Sequence, residues 1–319
     1  MELISIIVPC YNEQESIPLF YDEMCRVMEQ MNTLVNFEIL FVDDGSKDQT
    51  LEIARSLSQT DKRVRYLSFS RNFGKESALY AGLRNVKGDF IAVMDADLQD
   101  PPSLIPEMYR TLKEEAYDCV ATRRRDRKGE PPVRSFLAKC FYGIFNRISQ
   151  VKMKEATRDF RLMTRQMLEA ILSMSEYNRF SKGIFSWVGF RTKWIEFENV
   201  ERVAGTTKWS LKSLMRYSME AFLSFTTAPL ILPILLGFVA CLFSVVLLIV
   251  LIVAAACANP LAWYWILIDA LAFFSGIQLI CMGVFGAYFS KMYLEIKNRP
   301  IYIVKEQSED GGADANDRS

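Results

Sequence analysis

Short apolar runs alternate with longer amphipathic ones through the first part of the chain. Leu3 to Val8 reads as a strand and Glu15 to Gln30 as a helix. Phe37 to Val42, Val64 to Phe69, Phe90 to Met94 and Cys119 to Ala121 repeat the strand pattern, and Asp48 to Ser58, Lys75 to Val86 and Ser103 to Glu115 the helical one. Strands alternating with helices predict an α/β domain with a mostly parallel sheet, whose ligands bind beyond the carboxyl ends of the strands.

The pattern then changes solvent. Ala221 to Ile268 has no charged residue, Asp269 interrupts once, and Ala270 to Ser290 is again uncharged. A crossing of the hydrocarbon layer needs ~20 apolar residues in helix, so two crossings fit. Pro229 to Ala258 supplies the first, Asn259-Pro260 the turn, and Ala262 to Ser290 the second, with Trp263, Tyr264 and Trp265 at the headgroup level. Lys208, Lys212 and Arg216 precede the hairpin and Lys291, Lys297 and Arg299 follow it, which predicts that both ends are cytoplasmic. Asp269 and Gln278 read as a snorkelling or inter-subunit contact and a helix-packing contact, or else as functional polar groups.

Leu137, Cys140, Phe141, Ile144, Phe145 and Ile148 recur at helical spacing, as do Leu211, Leu214, Met215, Met219 and Phe222. Both stretches fit helices lying in the membrane interface, and the first also fits core packing. The expected organisation is a cytoplasmic catalytic domain over 1–208, an interfacial linker over 209–228, a transmembrane hairpin over 229–290, a return segment over 291–307 and a disordered tail over 308–319. Within the return segment Asn298 to Lys305 reads as a strand, joining either the soluble domain or a neighbouring subunit, the second of which would make a homo-oligomer.

Composition narrows the chemistry. The 38 basic and 38 acidic residues cancel, which gives no bulk attraction to nucleic acid. The seven cysteines form no CxxC pair and suit a reducing compartment. No histidine is present, which excludes Ser-His-Asp, Cys-His and His-ligated metal mechanisms. The opening MELISIIVPCYNE carries acid before a very short apolar run and does not read as a signal peptide.

Each predicted strand ends in a polar loop: Pro9 to Glu13, Asp43 to Asp48, Ser70 to Glu76, and Asp95 to Asp100. Neither GxGxxG nor GxxxxGK[ST] follows the first strand. Asp95 and Asp97, at i and i+2, can converge on one hard divalent cation with Gln99 adding an oxygen, or form an acidic cap before Pro101-Pro102. Oxygen ligation favours Mg²⁺ or Mn²⁺. Asp43 and Asp44 can accept from a base or ribose, Tyr11 can stack on a base or pack the loop, and Arg71 and Lys75 can meet a diphosphate or form surface charge. Arg123, Arg124, Arg125, Arg127, Lys128 and Arg134 make a basic loop that suits an anionic lipid surface, a lipid phosphate, or both.

Taken together, VPCYNE, VDDGSKDQT, SRNFGKE, DADLQDPP, DFRL (Asp159 to Leu162), WVGF and ERVAGTTKWS, followed by the hairpin, resemble the polyisoprenyl-phosphate glycosyltransferases. These are inverting family 2 enzymes with a GT-A fold, and the likeness runs from about Ile4 to Val304. The bacterial undecaprenyl-phosphate glucosyltransferases are the most similar branch; GDP-mannose with dolichyl phosphate, as in the dolichol-phosphate mannose synthases, and a modified UDP-arabinose are the other donors considered.

The resemblance implies nucleotide contacts at Pro9, Tyr11, Asn12, Glu13, Asp43 and Asp44, metal and diphosphate contacts at Asp95, Asp97 and Gln99, and phosphate contacts at Arg202 and Lys208. In the mechanism this suggests, Asp159 is a base or a group orienting Arg161, Arg202 or the acceptor, and Arg123, Arg125, Arg127 and Arg134 of the basic loop, with Arg161, are the candidate acceptor-phosphate contacts. A UDP-sugar donor, a polyprenyl phosphate, the bilayer of the plasma (inner) membrane and a downstream flippase are the implied partners. Two positions depart from the pattern: Thr157-Arg158 precede Asp159 where a glycine is common, and Ala138 stands where a serine is common.

Overall fold

The computed structural model describes residues 1–125, 142–149, 151–152, 157–198, 225–226, 228–257 and 262–308. Strand and helix alternate as β1 (Glu2–Cys10), α1 (Ser16–Met31), β2 (Val35–Asp43), α2 (Thr50–Thr60), β3 (Val64–Phe69), α3 (Lys75–Asn85) and β4 (Phe90–Val93). A 3₁₀ turn, Pro102–Leu104, leads into α4 (Ile105–Glu114) and β5 (Cys119–Arg124). Residues 142–148 form α5; β6 (Thr157–Thr164), α6 (Arg165–Leu172), α7 (Ser181–Trp187) and β7 (Thr192–Phe197) follow.

Every element expected up to Ala121 is present, with ends moved by a few residues. The main change is at β4, which stops at Val93, so Asp95 and Asp97 lie in the loop beyond the strand rather than in its alternation.

The sheet has eight strands in the order β7-β5-β6-β4-β1-β2-β3-β8. β1 pairs in parallel with β2 and β4, β2 with β3, and β5 with β7. β6 runs antiparallel to β4 and β5, and β8 antiparallel to β3, so the mostly parallel sheet expected from the sequence carries three antiparallel pairings.

Both faces are buried. Ile4, Ile6 and Val8 of β1, Phe37, Ile39 and Phe41 of β2, and Phe90 and Ala92 of β4 pack on one side against Ile17, Phe20 and Met24 of α1 and Ile105 and Met108 of α4. The alternate residues Ile7, Leu40, Val42, Ile91 and Val93 pack on the other against α3, α6 and α7. Full burial of one such side chain contributes about 1.5–3 kcal/mol, which explains why these strands read as continuous apolar runs.

Two long helices complete the chain before its last strand: α8 (Ala228–Cys257) and α9 (Ala262–Ile296). Both are long and apolar enough to cross a membrane, with mean hydropathy 2.9 over Pro233–Val250 and 1.5 over Phe273–Ile296. Their large side chains face outward, as at Ile234, Phe238, Leu242, Leu271 and Leu279. The second helix does not stop at Ser290 but continues to Ile296, carrying Lys291 and Glu295 on its last turns. β8 (Val304–Gln307) lies a few residues later than expected and joins the same chain's β3, where Glu306 pairs with Arg55 at 2.7 Å and Tyr302 stacks on Phe69.

The first amphipathic stretch is divided within α5: Phe145 is wholly buried, whereas Ile144 and Ile148 are exposed. The second, 211–222, lies outside the described residues, as do Asn259-Pro260 and the tail from 309.

Candidate active site

The polar loops at the carboxyl ends of β1, β2 and β3 lock together through their own side chains. The backbone N–H of Asn12 donates to Ser46 Oγ (2.9 Å), Asn12 Oδ1 accepts from Lys47 N (2.9 Å), and Glu13 N donates to Thr50 Oγ1 (2.8 Å). Asn12 has φ 53°, a left-handed conformation that asparagine tolerates. Tyr11, Asn12 and Glu13 stay half-buried, on the rim of the loop cluster, with Pro9 still paired to β2.

Asp43 and Asp44 divide their work. Asp43 accepts from Ser46 N (3.0 Å) and from the Ser68 hydroxyl (2.7 Å), so it braces the loop. Asp44 accepts from the N–H groups of Phe73 (2.6 Å) and Gly74 (2.9 Å), which ties β2 to the start of α3. Burial pushes the Asp44 carboxyl up to about 6 against those two donors. Gly45, at φ 67°, sits so close to the Arg71 backbone that an added Cβ would lie 2.5 Å from the Arg71 carbonyl carbon. Arg71 itself is exposed and lies over the Phe73 ring at 4.2 Å.

The antiparallel insertion of β6 brings the next acids together. Val93 opposes Arg161 in the β4–β6 register. Because the strands run oppositely, Asp95, two residues after Val93, is carried to the same end as Asp159, two residues before Arg161. Lys75, the first residue of α3, reaches both: its Nζ lies 2.7 Å from Asp95 Oδ1 and 2.7 Å from Asp159 Oδ2. Lys182 of α7 approaches Asp159 at 3.9 Å.

Burial acts to raise the Asp159 carboxyl, but Lys75 and Lys182 override it and hold it well below the usual carboxylate range. Crowding around its ammonium would likewise lower Lys75, although 41% of the side chain stays exposed to water, and the two aspartates hold it above the usual lysine range. Asp159 is thereby a fixed negative group beside Lys75. Its carboxylate meets the two lysines rather than Arg161.

Arg161 is 4% exposed and differs from the acceptor-facing place expected of it. Its guanidinium donates to the carbonyls of Asp159 (3.1 Å) and Arg158 (3.2 Å) and lies over the Phe185 ring at 3.6 Å, bracing β6 against α7. Arg123 pairs with Glu196 across β5 and β7, and Arg125 donates its backbone N–H to Phe197 O (3.1 Å). Arg127, Arg134, Arg202 and Lys208 lie outside the described residues.

Asp97 is buried and accepts from Gln99 N at 3.2 Å. The Gln99 side chain accepts from Arg158 (3.1 Å), whose guanidinium also donates to Asp100 (2.8 Å). Burial pushes the Asp100 carboxyl up to about 6 in spite of that arginine. Arg158 also feels the charges of Asp95 and Asp97, and was not singled out from the sequence as a site residue. Its place beside DFRL was the available signal; Lys182 had none.

Among the described residues no group of three or more acidic, cysteine or histidine side chains could hold a metal by itself. The donor chemistry at Asp95 and Asp97 nevertheless fits Mg²⁺ or Mn²⁺, which commonly take one or two carboxylates and complete their shell with substrate phosphate. A cation, the Lys75 ammonium, already rests on Asp95.

A profile described as "Glycosyl transferase family 2" matches residues 5–172, more than half of the chain. CsbB of Bacillus subtilis (strain 168) is 42% identical over 305 residues, covering 95% of this chain and 92% of its own. The SfII prophage-derived bactoprenol glucosyl transferase of Shigella flexneri is 41% identical over 304 residues, 95% and 97% of the two chains. The prophage bactoprenol glucosyl transferase homolog of Escherichia coli (strain K12) is 40% identical over 306 residues, 95% and 98%.

Proposed function

The chain belongs to glycosyl transferase family 2 and is a glycosyltransferase, and from that premise we propose that it moves glucose from UDP-glucose to undecaprenyl, or another polyprenyl, phosphate. The products are polyprenyl-phosphate glucose and UDP. The observation that carries this reading is the meeting of Asp95 and Asp159 on Lys75, at the strand ends where an anionic donor and an anionic acceptor can both reach a cation. The bactoprenol glucosyl transferases, similar along nearly their whole length, support the choice of lipid and sugar.

The nucleotide is proposed to lie over the β1–β3 loops, with Asp43 and Asp44 under it and Tyr11 against the base. The acceptor phosphate is largely ionised near pH 7 and attacks the anomeric carbon without a protein base, so configuration inverts as UDP leaves from the opposite face. Lys75 stabilises charge where the two phosphates approach. Asp95 and Asp97 would hold Mg²⁺ or Mn²⁺, which when bound stabilises the charge that builds on the leaving diphosphate. Arg202 and Lys208 are proposed phosphate contacts, and the Arg123 to Arg134 loop an acceptor-side lipid contact.

We further read α8 and α9 as a membrane hairpin with both ends cytoplasmic. Lys291, Lys297 and Arg299 at the end of the second helix support that side. The sugar-lipid would then form on the cytoplasmic face and need a flippase to leave it. Incubating the membrane-reconstituted protein with UDP- and GDP-sugars and prenyl phosphates, with mass spectrometry of the lipid product, tests the whole reading. A hexosyl lipid from UDP-glucose is expected; a product from GDP-mannose alone would overturn the donor, and no product from any pair would overturn the activity on lipid phosphate.

A further inference from the structure

The end of the second long helix is bonded to the catalytic domain in a way the reaction above does not require. Lys291 and Glu295, one turn apart on α9, both grip the loop between α6 and α7. Lys291 Nζ donates to Asn178 Oδ1 at 2.9 Å. The Glu295 carboxylate accepts from Tyr177 N at 3.0 and 3.1 Å and from Asn178 N at 3.3 Å. A carboxylate in the last turn of a helix faces the negative end of its dipole, so helix stability does not explain Glu295; the N–H groups it receives do.

The gripped segment continues directly to the site. Arg179 is buried, donates to the carbonyls of Met174 (2.6 Å) and Ile171 (3.4 Å), and lies over the Tyr80 ring of α3 at 4.3 Å. Ser181 donates its backbone N–H to Glu76 Oε2 at 2.9 Å, and its hydroxyl to the same oxygen. Glu76 is the neighbour of Lys75, which holds Asp95 and Asp159. Five residues, 177–181, therefore join the end of a membrane-length helix to the cation at the centre of the site.

We propose that Lys291 and Glu295 are positioning residues that set Lys75 and Asp159 at a fixed place relative to the bilayer, so that they serve reaction with a membrane-embedded lipid phosphate and not binding of the soluble donor. The proposal rests on the lipid-phosphate reading given above. Loosening this tie leaves the bonds that lock the nucleotide loops to one another, Asn12–Ser46, Glu13–Thr50, Asp43–Ser68 and Asp44–Gly74, in place, because none of these four involves 177–181. What changes is the alignment of the site with an acceptor that cannot leave the membrane.

Full-length Glu295→Ala and Lys291→Ala proteins in phosphatidylglycerol–phosphatidylethanolamine vesicles test it, with undecaprenyl phosphate in the bilayer and geranyl phosphate as a soluble acceptor. Expected is a rise of about tenfold in KM for the embedded acceptor, within the range of coupling that such networks carry. KM for UDP-glucose and turnover with geranyl phosphate should stay within about twofold, and Glu295→Gln, which keeps an acceptor oxygen, should recover most of the loss. Equal losses on both acceptors, or wild-type kinetics on both, overturn the proposal. Hydrogen exchange gives a readout free of activity: faster exchange at 177–181 and at the start of α3 in Glu295→Ala is expected, and unchanged protection there overturns the coupling even if the wild-type enzyme transfers no sugar to any lipid.

Discussion

The Lys75 ammonium lies 2.7 Å from the Asp159 carboxylate while also resting on Asp95, so one side chain from α3 neutralises an acid of β6 and an acid of the loop that follows β4. Removing it leaves two carboxylates facing the incoming phosphates. Lys75→Ala should lower kcat by about a hundredfold, the usual loss when one fixed donor to developing charge is deleted. Lys75→Arg keeps the charge but not the compact ammonium, so it should restore the thermal midpoint more than the rate. Steady-state kinetics beside thermal unfolding separates the two; equal activity in Lys75→Ala would remove Lys75 from the site.

The metal assignment rests on Asp97 as well as Asp95. Asp97→Asn keeps the shape and the bond from Gln99 N while removing the charge. Metal-dependent affinity for UDP should be lost and transfer abolished, with the far-ultraviolet circular dichroism unchanged. Titration calorimetry with Mn²⁺ and UDP checks it, and unchanged metal-dependent affinity would strike Asp97 from the ligands.

The strands buried on both faces were legible because β1, β2 and β4 carry apolar side chains into two separate cores. β6 was not, since Asp159 and the buried Arg161 interrupt its apolar residues, and its antiparallel place between β4 and β5 depends on long-range pairing. The same cause hid part of the site. DADLQD and DFRL each announced acids, but only the opposition of Val93 and Arg161 brings Asp95 beside Asp159, and only α3 supplies the lysine between them. Arg161 looked like a phosphate ligand because sequence does not show that Phe185 and two carbonyls occupy it.

Gly45 gives a test of the loop cluster itself. An added Cβ would press on the backbone of Arg71 and Asn72, at 2.5 and 2.8 Å, and the residue has φ 67°. Neither can be relieved by a rotamer change. Gly45→Ala should cost about 1–3 kcal/mol and weaken UDP binding through the displaced Asp44 and Phe73–Gly74 contacts. Chemical denaturation and UDP titration measure both, and an unchanged pair of values would mean that the loop shifts freely.

Acidity offers the last prediction, and the absence of histidine makes it readable. Asp44 and Asp100 have folded-state carboxyls raised to about 6 by burial. Between about pH 5 and 6.5 the folded protein therefore releases protons that the unfolded chain has already lost, so stability falls as pH rises through that window. Asp159 and Asp61 are held low and are ionised in both states there, which leaves them no part in the slope. Glu76, also raised by burial, adds to it in the same direction. The thermal midpoint of the detergent-solubilised protein should decline across this window, and Asp100→Asn should flatten the decline while keeping a carbonyl oxygen for Arg158. A midpoint that rises with pH, or a slope left undiminished by both Asp100→Asn and Asp44→Asn, would show that these two buried carboxyls are not the groups that titrate.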